Sequence, residues 1–150
     1  MHYQIWLGSG KVPPPGFPSN KVVAFESKKT RPVVLVVDDE PLIADTLCAI
    51  LREHGFVAHK AYSGEEALRL LDRHRPDIVL TDVLMPNMSG VDLAIEIQDR
   101  LPGTRVVMLS GQAATAELMR RAADQGHTFE LLAKPIHPED LIARLKQRPK

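Results

Sequence analysis

The run Val33-Val34-Leu35-Val36-Val37-Asp38-Asp39-Glu40 is the most informative stretch of this chain, because a short apolar segment stops at adjacent carboxylates. Other apolar runs end at Thr81-Asp82, at Ser110 and at Lys134-Pro135. Short apolar runs that alternate with helical patterns are typical of parallel strands buried on both faces. Because chemistry in such sheets collects at the carboxyl ends of the strands, these acids, the hydroxyl and the amine should converge on one edge.

The rest of the pattern predicts an α/β fold with a doubly wound, five-stranded parallel sheet of the flavodoxin-like (β/α)5 type and strand order 2-1-3-4-5. Pro41 opens the first helix and Gly55 ends it. Ser63 with Glu66 predicts a capping box for the second helix, which stops at Pro76. The predicted strands are 33–37, 57–61, 78–81, 105–109 and 129–133, and the last three helices lie at about 91–101, 113–125 and 138–147.

Composition separates a tail from a folded domain. Residues 1–31 contain Pro13-Pro14-Pro15-Gly16 and no sustained periodicity, so we predict a flexible, Pro-rich N-terminal tail followed by a domain over 32–150. The tail holds five Lys/Arg against one Glu, net +4, and the remainder holds fourteen against eighteen, net −4. A chain that is 44% hydrophobic can bury a real core.

Several classes of function are disfavoured by the same composition. A mildly acidic domain offers no basic face for nucleic acid, so no nucleic-acid partner is expected. No stretch approaches the roughly 20 apolar residues that cross a bilayer, and the start lacks a signal peptide. The single Cys48, expected to be a small core residue, fits a reducing compartment. We therefore expect a cytoplasmic protein without a membrane partner.

Three carboxylates on neighbouring strands, Asp38, Asp39 and Asp82, repel one another unless a cation lies among them. Hard oxygen ligands suit Mg²⁺, and an Asp beside Mg²⁺ can act as a nucleophile toward phosphorus. Lys134 and Ser110 could contact the remaining phosphoryl oxygens. Each residue also has a simpler interpretation. Helix capping alone could explain Asp38 or Asp39, and also Ser110. Lys134 could be ordinary surface charge.

Four motifs then occur together and in order. They are Val36-Val37-Asp38-Asp39-Glu40-Pro41, the segment from Leu80 to Gly90 (LTDVLMPNMSG), Leu109-Ser110-Gly111 and Ala133-Lys134-Pro135. Together they resemble the motifs of a response-regulator receiver domain, and the resemblance covers about residues 32–147.

The resemblance implies specific roles. Asp82 would be the phosphoacceptor, and Mg²⁺ would be bound by Asp39, Asp82 and the backbone carbonyl of Leu84, with Asp38 helping through a water molecule. Ser110 and Lys134 would contact the phosphoryl group. The donor would be the phosphohistidine of a histidine kinase or a phosphotransfer protein. The chain would not be an enzyme beyond catalysing its own phosphorylation and slow dephosphorylation.

The chain departs from the family pattern at one position. Receivers usually carry an aromatic residue three positions before the Lys of the fifth strand, and here that residue is Leu131. We predict that Leu131 belongs to the core and that no aromatic switch exists; the alternative is that Phe129 takes the role through a bulge. In the loop before helix three, Pro86 should add stiffness and Gly90 should permit an unusual dihedral angle.

The five internal histidines show no metal-ligand spacing and are expected at solvated element ends: His54, His59, His74, His127 and His137. Because the chain ends at Lys150, directly after the fifth helix, a stand-alone receiver is expected, acting as effector, relay intermediate or phosphate sink. One alternative is an interaction module that works without phosphorylation. Another is an aspartate-nucleophile phosphatase, which the adjacent rather than spaced Asp38 and Asp39 disfavour.

Overall fold

The computed structural model describes residues 31–111 and 115–147, and within them five strands alternate with five helices. The strands are β1 (Val33–Val37), β2 (Val57–Ala61), β3 (Ile78–Asp82), β4 (Arg105–Ser110) and β5 (Glu130–Ala133). The helices are α1 (Pro41–Glu53), α2 (Gly64–His74), α3 (Gly90–Arg100), α4 (Thr115–Asp124) and α5 (Pro138–Lys146).

The strands form one parallel sheet in the order β2-β1-β3-β4-β5, which confirms the predicted fold class and strand order. The register sets the level at which each strand ends. Val37 lies opposite Thr81, and Ser110 lies opposite Ala133, one residue before Lys134. The residues that follow β1, β3, β4 and β5 therefore emerge at the same edge of the sheet.

The core consists of two layers, one on each face of the sheet. Val34 and Val36 point into the layer formed with α1 and α5, whereas Leu35 and Val37 point into the layer formed with α2, α3 and α4. A strand buried on both faces has no polar side, and this explains why β1 is apolar throughout rather than alternating.

The ends of α1 follow the prediction. Pro41 is its first residue, where a missing N–H costs no hydrogen bond, and Gly55 takes the left-handed backbone angle (φ +90°) after the helix. Cys48 is buried in the layer beneath α1, as expected. No helix in the described part of the chain combines the length and the apolar character needed to span a membrane.

The capping box predicted for α2 is only half correct. The Ser63 hydroxyl accepts a hydrogen bond from the Glu66 amide, but the Glu66 carboxylate accepts from the amide of Tyr62 rather than from that of Ser63. A complete box occurs instead at α3, where Ser89 and Asp92 satisfy each other's backbone amides. The spacing of Ser and Asp three residues apart could have predicted it, although Glu is the usual partner.

Element bounds agree with the prediction to within about two residues where they can be compared. Of the predicted tail over 1–31, residues 1–30 lie outside the described residues, as do 113 and 114 at the start of the predicted fourth helix. His59 contradicts the expectation for histidines. It lies in the middle of β2, half-buried, with its ring stacked on His74 at 3.8 Å, because α2 covers this face of the strand.

Candidate functional site

The predicted acidic cluster forms at the carboxyl edge of the sheet. Asp38 and Asp39 follow β1, and Asp82 ends the neighbouring strand β3. One carboxylate oxygen from each lies within 4.8 Å of those of the other two. Asp38 is buried, Asp82 is half-buried and Asp39 is exposed, so the cluster is open to solvent on one side.

Asp38 is the electrostatically strained member of this cluster. Burial raises the pKa of its carboxyl group, and the neighbouring Asp82 and Asp39 carboxylates raise it further. The amide of Glu40, which donates to the Asp38 carboxylate at 2.9 Å, and the Lys134 ammonium both oppose this rise in pKa. A carboxylate with only 1% exposure beside two others is placed to gain from any cation that enters the cluster.

Lys134 reaches the cluster from the end of β5. Its Nζ lies 3.3 Å from Asp82 Oδ2 and 4.0 Å from Asp38 Oδ2. The Lys134 amide donates to the carbonyl oxygen of Ser110 at 2.7 Å, which holds the start of this loop against the end of β4. The Lys134 ammonium is therefore paired with the acidic cluster.

The loop between Asp82 and α3 makes a sharp change of direction. The Met88 amide donates to the Pro86 carbonyl at 2.9 Å, and Asn87 between them has a left-handed backbone angle (φ +67°), which Asn tolerates better than most residues. Leu84, the predicted contributor of a carbonyl ligand, lies in this loop with an exposed side chain.

The prediction that Gly90 permits an unusual dihedral angle was wrong. Gly90 has no positive φ; the positive-φ glycines of the described residues are Gly55 and Gly126. A Cβ atom at Gly90 would instead collide with the backbone carbonyl of Asp82, so glycine is required by a close approach of two backbone segments. The Gly90 amide also donates to Val83 at 2.8 Å, which ties α3 to the end of β3.

Thr81 was not singled out by the sequence analysis. Its side chain is completely buried, and its hydroxyl donates to the carbonyl of Asp82 at 3.0 Å. Together with Gly90, it fixes the backbone of the residue that presents the central carboxylate. A hydroxyl within an apolar strand just before an acid is a weak signal, because Thr is common in strands for packing reasons alone.

The prediction that Leu131 belongs to the core was wrong. Leu131 is 42% exposed, and it lies on β5, an edge strand of the sheet. Phe129 precedes β5 and is partly buried against the layer of α2, α3 and α4. The pairing of β5 with β4 runs from Glu130 to Ala133 without interruption, so no bulge brings Phe129 into the position of Leu131.

The structure thus brings together Asp38, Asp39, Asp82 and Lys134, with Ser110 at the adjoining end of β4. Two exposed or half-exposed carboxylates and one buried carboxylate fit a small divalent cation such as Mg²⁺, which prefers oxygen ligands and retains some of its water.

A comparison with protein families identifies this arrangement. The model of the response regulator receiver domain matches residues 34–146. The chain belongs to the response regulator receiver family. Receiver domains bind Mg²⁺ at an acidic pocket and act in two-component signalling, and in this chain Asp38, Asp39 and Asp82 form an acidic cluster.

Solved receiver domains share the fold. The CheY-like receiver domain protein of Methanospirillum hungatei has a TM-score of 0.71 at 27% identity, over 77% of this chain and 91% of that one. A receiver domain protein of Clostridium thermocellum has a TM-score of 0.67 at 32% identity, over 75% and 89%.

Curated relatives include PdtaR, a transcriptional regulatory protein of Mycobacterium tuberculosis, which is 37% identical over 75% of this chain and 54% of its own length. The DNA-binding response regulator MtrA of Mycolicibacterium smegmatis is 33% identical over 79% of this chain and 50% of its own length. This receiver domain therefore spans about half the length of these relatives.

Proposed function

We propose that the chain is a phosphoacceptor that receives a phosphoryl group on Asp82 from the phosphohistidine of a histidine kinase or phosphotransfer protein. The observation that supports this most directly is the surroundings of Asp82. Its carboxylate is partly accessible, with 17% side-chain exposure, lies 3.3 Å from the Lys134 ammonium and is grouped with Asp38 and Asp39. A structural ion pair would not need the two further carboxylates.

In the proposed reaction, a carboxylate oxygen of Asp82 attacks the phosphorus atom. The new O–P bond forms as the P–N bond to the donor imidazole breaks, and the imidazole leaves with the electron pair and takes up a proton. Lys134 stabilises negative charge on the phosphoryl oxygens, and the Ser110 hydroxyl donates a hydrogen bond to the same group. The product is an acyl phosphate, which water can later hydrolyse.

We assign the metal ligands to Asp39, Asp82 and the carbonyl of Leu84, with Asp38 acting through a water molecule. Bound Mg²⁺ would neutralise charge on the phosphoryl group during transfer. Asp38 is the least accessible of the three acids, and its carboxylate already accepts the Glu40 amide. These two constraints favour an indirect role for Asp38, whereas exposed Asp39 can turn toward the ion.

The test is to incubate the purified chain with Mg²⁺ and acetyl phosphate and to measure its intact mass. We expect one phosphoryl adduct on the wild type and none on Asp82→Asn. Asp99→Asn is the matched control, because Asp99 is an exposed acid on α3, away from the cluster. Lys134→Ala should form the adduct at least tenfold more slowly, as expected for loss of one charge-stabilising donor (about 10²-fold in comparable sites).

No adduct on the wild type, or an equal adduct on Asp82→Asn, would contradict this proposal. In that case the alternative of a receiver fold that binds partners without phosphorylation becomes the better hypothesis. It predicts that beryllofluoride with Mg²⁺, which mimics the phosphoryl group, leaves partner binding unchanged.

The consequence of phosphorylation is proposed to be a population shift between two conformers that differ in affinity for a protein partner. The exposed Leu131 occupies the position at which an aromatic side chain is expected in the family. The conformational response is therefore proposed to depend on Ser110 and the segment after it. Because MtrA is named as DNA-binding, the expectation of no nucleic-acid partner stays a prediction for the matched domain.

A further inference from the structure

The first residue of α2 makes an unusually close contact with the loop that follows the phosphoacceptor. Gly64 is buried, and a Cβ atom built on it would lie 2.7 Å from Met88 Sδ, 2.9 Å from Met88 Cγ and 3.0 Å from Met88 Cβ. The φ angle of Gly64 is one that any residue can adopt. The space for a side chain at position 64 is therefore limited by Met88 and not by the backbone conformation of α2.

The contact involves the root of the Met88 side chain as well as its flexible end. A methionine can move its sulfur to another rotamer, but its Cβ is fixed to the backbone. A methyl group at Gly64 would therefore push on the backbone of the loop that carries Leu84. The two ends of the loop are also held close together, since Gly90 lies against the carbonyl of Asp82.

The surface against which Met88 packs is itself held firmly. The hydroxyl of Ser63 caps α2, and the Glu66 carboxylate accepts the amide of Tyr62 at 3.2 Å. The Tyr62 hydroxyl in turn donates to Asp45 on α1 at 2.8 Å. The first turn of α2 is thus a fixed support rather than a surface that yields to the loop.

We infer that Gly64 and Met88 are positioning residues for the phosphoacceptor site, acting together through this contact to set the position of the loop between Asp82 and α3. The inference rests on the proposed function, since it concerns the placement of the Leu84 carbonyl relative to Asp82. Neither residue is assigned a contact with the phosphoryl group. Their effect is exerted through the loop, and it should appear in both Mg²⁺ affinity and phosphorylation rate.

The experiment is a double-mutant cycle with Gly64→Ala, Met88→Ala and the combination of both. Met88→Ala leaves the loop unsupported, and Gly64→Ala forces it outward. We expect each single variant to reduce the rate of phosphorylation by acetyl phosphate about tenfold, since a misplacement of about 1 Å can cost about 10²-fold and the shift that Met88 Cβ requires is smaller. In the double variant the added methyl group occupies part of the space left by Met88, so the rate should recover to within about threefold of wild type.

Gly103→Ala is the matched control, because a Cβ atom at Gly103 would meet nothing within 4 Å and its φ is not positive. It should phosphorylate at the wild-type rate. Mg²⁺ affinity, measured from the dependence of the unfolding temperature on Mg²⁺ concentration without phosphodonor, should follow the same order among the variants. If the contact only stabilised the fold, its loss would lower the unfolding temperature without changing the Mg²⁺ affinity.

Single variants with wild-type rates, or a double variant in which the two losses add, would overturn the inference while leaving phosphorylation of Asp82 intact. If Gly64→Ala does not fold, the phosphorylation rates of Met88→Ala and the double variant are compared instead. The inference then requires the double variant to be faster than Met88→Ala, because only compensation between the two residues has this effect. Failure of the wild-type chain itself to accept a phosphoryl group would contradict the proposed function and, with it, this assignment.

Discussion

The two ends of the sheet differ in how their buried and half-buried charges are compensated. At the carboxyl end, Asp38, Asp39 and Asp82 gather around the single ammonium of Lys134. At the amino end, the Arg105 guanidinium binds Glu130 through two hydrogen bonds of 2.6 and 2.8 Å. It also donates to three carbonyl oxygens at the end of α5, those of Arg144, Leu145 and Gln147.

The pKa shifts follow this difference. Burial raises the pKa of Asp38, so its charged form is disfavoured in the folded protein. The hydrogen bonds from Arg105 hold the pKa of Glu130 below its ordinary value of 4.5, so its charged form is favoured. The amino end therefore stabilises the fold, whereas the carboxyl end stores repulsion that a cation and a phosphorylation reaction can use.

The largest effect on stability is expected at Arg105. Arg105→Met leaves Glu130 half-buried without its bidentate partner and removes the donors from the last carbonyls of α5. The free energy of unfolding should fall by about 2–4 kcal/mol, measured by urea titration at pH 7. Arg100→Met removes only an exposed helical pair with Glu96 and should cost about 0.5 kcal/mol or less. Equal losses in the two variants would show that the amino-end network is not a special source of stability.

An opposite sign is expected at the carboxyl end. Asp38→Asn removes a buried, repelled charge and keeps an oxygen that can accept the Glu40 amide. In EDTA the variant should be more stable than wild type by about 1 kcal/mol. Addition of Mg²⁺ should stabilise wild type more than the variant. The difference in free energy of unfolding between the two proteins should therefore become smaller or change sign. A variant less stable than wild type in EDTA would mean that Asp38 is already compensated without metal.

The contribution of Glu130 to stability is expected to depend on pH. A carboxyl group whose pKa is depressed by folding adds stability above its unfolded pKa and loses it as the pH falls through its folded pKa. The extra stability of wild type over Glu130→Gln should therefore be constant near pH 7 and decline below about pH 4.5, with a total change of about 1 kcal/mol. A difference between the two proteins that does not change down to pH 3 would contradict the assigned role of Arg105.

The smallest effect is expected at His59, on the edge strand. Burial, followed by the neighbouring His74 and Arg52, lowers the pKa of His59 below 6.5. The unfolded chain then binds more protons than the folded one, so stability should decrease as the pH falls below about 6.5. His59→Gln should remove about 0.5 kcal/mol of the wild-type loss between pH 7.5 and 5.5. His54→Gln, at an exposed position, is the matched histidine substitution with which His59→Gln is compared.

The order of apolar runs along the chain was enough to predict the parallel sheet, because strands buried on both faces must be apolar throughout. Asp38, Asp39, Asp82 and Lys134 were predicted to lie on one edge because the carboxyl ends of parallel strands coincide. The prediction failed at Leu131, where an apolar residue was assigned to the core. Burial of a side chain on an edge strand depends on whether a helix covers it, and local sequence does not report where the helices pack.

The amino-acid pattern was therefore sufficient for the parallel sheet, its strand order and the grouping of the three acids at one edge, because these follow from local periodicity and from the topology of βα units. The close contacts between segments, by contrast, depended on how the helices pack against the sheet and against the loops. The contact of Gly64 with Met88 and the hydrogen bonds from Arg105 to the end of α5 join residues far apart in sequence. No local pattern encodes such contacts, since each one exists only after the helices have settled on the sheet.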